Sequence, residues 1–424
     1  MNNITVHSEQ YINILKEELV PAMGCTEPIA IAYAAAKAKE ILGKLPDEVR
    51  VEVSGNILKN VKSVVVPHTG GLRGIPAAAA IGIVAGDSHR ELEVLSEISE
   101  IQIEDTKAFL ENTPISVHYA DTPHIFDIMI TLTKGEESAF VRLAEHHTNT
   151  VCIRKNGETI FEKEVIPQEN GLTDHSVLSI EEIIEFAQNT PLEPLEATLE
   201  RQIEYNMAIA KEGMDHSYGA NIGSTLLSHG KPDIYQKMRA YAAAGSDARM
   251  NGCEMPVIIC SGSGNQGITA SVPVIVYAQE KGYTHHELLR ALIVSNLVTI
   301  HLKAGIGRLS AYCGVVSAGV GSAAGVAFLK GGRYDTIAHT IVNALAMDSG
   351  IICDGAKASC AAKIASAVDA GILGLFMYLN GNQFYSGEGL VAKGVENTIR
   401  NIGSLARNGM AATDKEIIRI MLES

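Results

Sequence analysis

The 424-residue chain contains no tryptophan, and aromatic residues are only 5% of it. Alanine and glycine are abundant instead, which suits helices whose backbones pack closely. Positive charge is also in deficit, with 34 Lys and Arg against 49 Asp and Glu, a formal net charge of −15. A nucleic-acid binder needs a basic surface to displace counterions, so that class is not expected. The opening residues MNNITVHSEQYINILKEELV show no basic segment followed by an apolar one. No signal peptide is therefore expected, and a cytoplasmic location is. Paired Cys-x-x-Cys spacings, the usual mark of structural zinc, are missing too. The run 309–329 is uncharged and long enough to span a bilayer, but it holds four glycines and three serines. It reads as a fully buried helix, and no membrane contact is expected.

What is present divides the chain. Residues 8 to 44 read as a helix, a break at 21–28 and a second helix. Pro28 suits the first turn of that helix and Thr26 its N-cap. Cys25 would then sit at a helix N-terminus, where the dipole favours a thiolate. Residues 49–67 suggest strands. His68-Thr69-Gly70-Gly71-Leu72-Arg73-Gly74 is a glycine-rich turn into a helix over 75–85, and a polar helix follows near 92–111. Strand signals return at 115–120, 126–133, 138–156 and 158–165, with an Asn156-Gly157 hairpin signature. From about 174 the pattern is helical. Ser179 with Glu182 forms a candidate capping box. Apolar segments follow at 195–229, 233–247, 267–281, 286–304, 309–329, 333–346, 357–380 and 412–422. The expected fold class is α+β, a mostly helical bundle with a smaller N-terminal α+β region. The expected divisions are 1–45 (N-terminal helices docking on the bundle), 46–170 (α+β region) and 171–424 (helical).

Seven cysteines, at 25, 152, 253, 260, 313, 353 and 360, are expected to be thiols. Cys152, Cys253 and Cys260 read as small buried hydrophobes. Gly24-Cys25-Thr26, Tyr312-Cys313-Gly314 and Cys353-Asp354-Gly355 have glycine close by, which lets a backbone approach a bulky iron–sulfur cluster, although their spacing is not that of a ferredoxin. A second candidate is Ser261-Gly262-Ser263-Gly264-Asn265-Gln266-Gly267 ahead of a helix. Backbone N–H groups there, with Ser261, Ser263, Gly264 and Asn265, would suit a substrate carboxylate, and a plain interhelical turn is the alternative. Thr69, Gly70 and Arg73 could hold a carboxylate as well, or form an ordinary turn with a solvated arginine. His68, His147, and the pair His301 and Lys303 are candidate bases, of which the histidines are each more often structural.

Four motifs in order, Gly-Cys25-Thr-Glu-Pro-Ile-Ala, Ser261-Gly-Ser-Gly-Asn-Gln-Gly267, Tyr-Cys313-Gly and Cys353-Asp-Gly-Ala-Lys, resemble the L-cysteine desulfidase family, related to the iron–sulfur L-serine dehydratase alpha chain. The resemblance covers almost the whole chain. It implies a helical serine-dehydratase-alpha-like catalytic domain and a [4Fe–4S] cluster on Cys25, Cys313 and Cys353. It also implies α,β-elimination without pyridoxal phosphate, converting L-cysteine to pyruvate, ammonia and sulfide in cysteine catabolism. Three ligands would leave one iron open as a Lewis acid, and Cys360 is a candidate fourth. The His-Thr-Asn stretch resembles a family motif and points to His147 as the base, with His68 and Lys303 as the other catalytic candidates. The implied partner is a small amino acid, and a homodimer is a possible assembly. L-Serine dehydration at the same site, or a non-catalytic iron–sulfur redox sensor, are the competing functions.

Overall fold

The computed structural model describes residues 7–23, 26–165, 173–228, 230–307 and 310–423. In chain order the elements are α1 (Ser8–Glu18), β1 (Pro21–Met23), α2 (Thr26–Leu42), β2 (Glu48–Val53), α3 (Gly55–Val61), α4 (Gly74–Ala85), α5 (Glu100–Asn112), β3 (Ile115–Tyr119), β4 (Asp127–Lys134), β5 (Glu137–Ala144), β6 (Thr150–Lys155) and β7 (Glu158–Glu162). They continue with α6 (Ile180–Asn189), α7 (Glu193–Asp215), α8 (Ile222–Leu227), α9 (Ile234–Met250), β8 (Pro256–Ile258), α10 (Gly264–Lys281), α11 (His285–Ile306) and α12 (Gly314–Leu329). The last four are α13 (Tyr334–Asp348), α14 (Cys360–Leu379), α15 (Val395–Ser404) and α16 (Ala411–Glu423). The class is α+β, as expected.

Two compact units emerge. One comprises Met1–Met23, Leu172–Cys353 and Ala358–Asp414; the other comprises Gly24–Gly171, Asp354–Lys357 and Lys415–Ser424. The expected N-terminal pair of helices is thus divided. The first unit takes α1. The second takes α2, because its alanine-rich surface lies against α4, β4 and β5 and is buried on almost every side.

The sheet unit has strand order β3-β2-β4-β5-β6-β7, with β2 and β3 parallel and the other pairs antiparallel. Val49, Val51 and Val53 of β2 line up with Ile128, Ile130 and Leu132 of β4 and bury one face, as period-two alternation requires. At the start of β4, buried Asp127 takes a bidentate pair of hydrogen bonds from Arg142, at 2.9 and 2.7 Å. Residues 55–61, expected as strand, form helix α3, because Ile57, Leu58 and Val61 repeat at helical rather than alternate spacing. The expected run 138–156 is two strands, broken where Glu145 adopts φ +68°. The hairpin turn at Asn156 and Gly157 has φ +51° and +82°, the left-handed pair that an Asn-Gly turn supplies.

In the helical unit the capping reading at Ser179 is half realised: its hydroxyl accepts the Glu182 N–H at 3.3 Å. The 195–229 segment is two helices, α7 and α8, separated where Gly219 and Asn221 have positive φ. The run 309–329 becomes helical only at Gly314, because Tyr312 forms a β-bridge to Ile352. Strands β1 and β8, which pair with each other, and helix α15 are additions to the expected elements. Among the described residues two helices, α11 and α14, are long and apolar enough to cross a membrane, and most of each lies buried within this unit.

The centre of the unit is α12, nearly all of it buried. A Cβ on Gly319 would lie 2.5 Å from the backbone of Ala367 in α14. One on Gly371 would lie 2.7 Å from the carbonyl of Gly319 and 2.8 Å from the Ala323 side chain. Because 319 meets 367 and 323 meets 371, the two helices run parallel. Helix α10 also runs parallel to α12, with Gln266 against Gly314 and Val274 against Gly325. Helix α11 runs the other way, since Thr299 meets Gly321 and Ala291 meets Gly325. The starts of α10, α12 and α14 therefore lie at one end of the unit.

Substituting Gly319→Leu forces α12 and α14 apart, and overpacking of this kind costs about 1–3 kcal/mol. A lowered midpoint in chemical denaturation is the expected result, and an unchanged midpoint would contradict the close approach.

Candidate functional site

Cysteines gather at that shared end. The Tyr312–Ile352 bridge clips two loops together: the Cys313 N–H donates to the Ile351 carbonyl at 3.0 Å, and the Cys353 N–H donates to the Ala311 carbonyl at 2.6 Å. The thiols of Cys313 and Cys353 are hydrogen-bonded to each other. Cys313 is the N-cap of α12 and Cys360 the first residue of α14. The Cys353 neighbour, burial and the proximity of Cys360 push the Cys313 thiol well above its ordinary range. Two of the four expected ligands, Cys313 and Cys353, are thus brought together, with Cys360 near enough to act on the Cys313 thiol. Cys25 lies outside the described residues. None of the six described cysteines forms a disulfide.

The glycine loop meets the same place. Ser261 and Gly262 have φ +50° and +75°, and Cys260 and Ser263 exchange backbone hydrogen bonds at 3.1 and 3.2 Å, which closes a tight turn into α10. Ser263 is the N-cap of α10 but makes no side-chain capping bond. The caps of α12 and α14 make none either. Helix starts without side-chain caps carry N–H groups that need acceptors, and their dipoles add a positive potential. Two residues outside the expected set also lie here. The Arg249 guanidinium packs on the Cα of Gly264 and reaches the Asn265 side-chain oxygen at 3.5 Å. The Gln266 carboxamide lies over Gly314, beside Cys313, where a Cβ on that glycine would be 2.6–2.8 Å from the amide atoms. Gln266 is 5% exposed, and its Oε1 has no hydrogen-bond partner among the described residues. Such an orphan costs about 1–3 kcal/mol. In sequence Gln266 lies in the glycine-rich candidate loop with no role of its own, and nothing in sequence marks Arg249, which arrives from the far end of α9.

The remaining candidates are less concentrated. In the helical unit, Lys303 donates to the Gly307 carbonyl at 2.8 Å and so satisfies the end of α11. His301 pairs with Glu396 at 2.7 Å, and Glu396 also accepts the Ile180 N–H. That is a structural tie between α11, α15 and α6. In the sheet unit, the Thr69 hydroxyl donates to the Val66 carbonyl at 2.6 Å, and Arg73 is exposed and donates to the Ser63 carbonyl at 3.2 Å. Gly70 supplies φ +65° to the turn, and His68 is exposed with φ +58°. His147 is different. It is partly buried, stands edge-on to Phe126 with ring centroids 4.7 Å apart, and its Nε2 meets the Thr26 hydroxyl at 2.9 Å. Burial lowers its pKa from the ordinary 6.5, against the opposing pull of Glu27. It is therefore a neutral imidazole at neutral pH, which is the form a general base requires. Thr26 is the residue directly after Cys25.

These features fit an anionic iron–sulfur group. Thiols crowded together are held protonated by one another, whereas a bound metal favours their thiolates. The α12 and α14 starts offer N–H groups to cluster sulfurs, and the lack of a side chain at Gly314 lets the Gln266 carboxamide lie beside Cys313. Among the described residues, no three His, Cys, Asp or Glu side chains close on one point as a single-ion site. The arrangement is a thiol pair with a third thiol nearby.

Residues 89–419 match the family described as serine dehydratase alpha chain. A UPF0597 protein of Desulfitobacterium hafniense is 59% identical over 415 residues, covering 98% of this chain and 96% of that protein. A UPF0597 protein of Lachnoclostridium phytofermentans is 51% identical over 414 residues, with 98% and 99% covered. One of Treponema denticola is 46% identical over 422 residues, with 98% of each covered.

After anaerobic loading with iron and sulfide, Cys313→Ala and Cys353→Ala should each lose the brown colour and most of the bound iron. Cys253→Ala should keep both, because that buried thiol bonds with Tyr218. Iron and labile-sulfide analysis reads the difference, and full retention in both of the first two variants would remove the thiol centre.

Proposed function

Since this chain belongs to the serine dehydratase alpha chain family, we propose that it is an iron–sulfur lyase performing α,β-elimination on a small L-amino acid, with L-cysteine as the substrate and no pyridoxal phosphate. The observation that carries this reading is the meeting of thiols with uncapped helix starts at one end of the helical unit. Cys25, Cys313 and Cys353 are the proposed ligands. Strand β1 ends two residues before Cys25 and pairs with β8, whose chain runs on into the glycine loop. Bound by three thiolates, a [4Fe–4S] cluster would supply an open, Lewis-acidic iron for the leaving group or the carboxylate.

The chain's own groups account for the rest. The first turn of α10, with Ser261, Ser263, Gly264, Asn265 and the Arg249 guanidinium, holds the substrate carboxylate. Fixing that end aligns the Cα–H bond with the leaving group. His147, neutral at working pH, accepts the Cα proton. The Cα–H and Cβ–S bonds break, sulfide departs, and the released 2-aminoacrylate tautomerises and hydrolyses to pyruvate and ammonia. L-Serine dehydration is the second reading, favoured by the description of the family; hydroxide would then replace sulfide as the leaving group. Cys360 is not needed for an open iron under either reading.

Anaerobically reconstituted protein should release pyruvate, with sulfide from L-cysteine, and the ratio of kcat/KM for L-cysteine and L-serine ranks the two readings. Turnover of neither by fully loaded protein would sink both. His147→Ala should lower kcat by about 10²–10⁴, and Cys360→Ala should keep both iron and turnover.

The acid limb of kcat/KM gives a separate check on His147. Its lowered pKa keeps the base form present as pH falls through the ordinary imidazole value of 6.5. Activity should fall away only below that value. A limb centred above it would argue for another base.

A further inference from the structure

We propose that Gln266 recognises the amino end of the substrate, its carboxamide oxygen accepting a hydrogen bond from the α-ammonium group of an α-amino acid. This rests on the elimination reading above and goes beyond it, because a carboxylate hold alone does not distinguish an amino acid from a hydroxy acid or a simple carboxylic acid.

The surroundings of Gln266 explain why such an acceptor is needed. The starts of α10, α12 and α14 present the positive ends of three helices, and Arg249 adds a full positive charge at Gly264. Such a place draws in a carboxylate and repels an ammonium group. A zwitterion is admitted with its amino end in place only if an acceptor waits for that end. The Asn265 oxygen is turned toward Arg249. The Gln266 oxygen is buried and has no partner among the described residues. A buried acceptor of this kind is best explained by a donor that arrives with a ligand.

Position supports the assignment. Gln266 stands in the first turn of α10, one residue after Asn265, so a molecule whose carboxylate meets that turn brings its amino group within reach of it. Its amide lies on Gly314, next to Cys313. The amino end, the carboxylate and the thiols would then face one small molecule, as elimination at Cβ demands. Any side chain at position 314 would displace the amide.

The test is binding, read apart from turnover. L-Alanine keeps both the carboxylate and the ammonium group but has no leaving group; L-lactate keeps the carboxylate and puts a neutral hydroxyl where the ammonium group was. Isothermal titration of the anaerobically loaded full chain should show L-alanine binding about tenfold or more tighter than L-lactate. Gln266→Leu should weaken L-alanine by about 10- to 100-fold, the range for losing a hydrogen bond to a charged group, and weaken L-lactate by clearly less, because a neutral hydroxyl makes the weaker bond. Gln266→Glu keeps an acceptor and adds negative charge, so it should widen the preference for L-alanine; it serves as the test if the leucine variant does not fold. Iron content and melting temperature equal to wild type certify each variant.

An unchanged alanine-to-lactate ratio in the certified leucine variant overturns the inference. So does a preference that fails to widen in the glutamate variant, or a wild type that does not discriminate. If the ratio depends on Gln266 while neither L-cysteine nor L-serine is turned over, the recognition stands and the elimination reading falls. If turnover is seen and the ratio ignores Gln266, the reverse holds.

Discussion

Direct backbone contact between parallel helices is the constraint on which the helical unit depends. At Gly319 and Gly371 no side chain separates α12 from α14. Gln266 and Val274 meet α12 in the same order along the chain, which sets α10 parallel to both. Side-by-side alignment of three dipoles is unfavourable by itself, because their positive ends are neighbours. Part of the offset comes from α11, which runs the other way, and negative charge at that end adds to it. The residues found there are thiols able to become thiolates, a guanidinium able to pair with a carboxylate, and helix starts with no side-chain caps. The architecture thus asks for anions, and the proposed cluster and substrate carboxylate are anions.

Neighbours, not residue type, separate the cysteines. Cys260 is buried, and its thiol is pushed up chiefly by burial. Cys253 is raised the same way and bonds with Tyr218. Neither adjoins a second thiol among the interactions that shift it. Cys313 has Cys353 as a hydrogen-bond partner and Cys360 close by. A lone buried thiol is a small hydrophobe. Thiols held together keep one another protonated until a metal takes the protons' place, so metal loading and proton release are linked.

The sheet unit performs a different task. Its buried face is built by alternating aliphatic residues of β2, β4 and β5 under α2 and α4. The rigid start of β4, held by the Asp127–Arg142 pair, is preceded by Phe126, whose ring sets the plane of His147. Burial then keeps that imidazole neutral. Packing supplies both the orientation and the protonation state that a base requires.

Much of this was legible from residues alone. Alternation and the Asn-Gly turn located most strands, and apolar periodicity located most helices, because both patterns are local. Four ordered motifs pointed to the family and to the cysteines as a group. Periodicity misplaced residues 55–61, where a short helix and a strand look alike, and did not predict β1 and β8, whose pairing joins segments more than two hundred residues apart. The meeting of Cys313 with Cys353, and the nearness of Cys360, depend on a β-bridge and on helix direction, neither of which has a sequence period. Arg249 and Gln266 reach the candidate site only because α9 runs against α10 and α10 runs with α12. The sequence by itself determined which chemistry was available: thiols, a glycine loop and a histidine. Tertiary structure alone decided which thiols become neighbours, which oxygen is left unpartnered and which end of the bundle is positive. Those properties arise from the relative direction of helices in space.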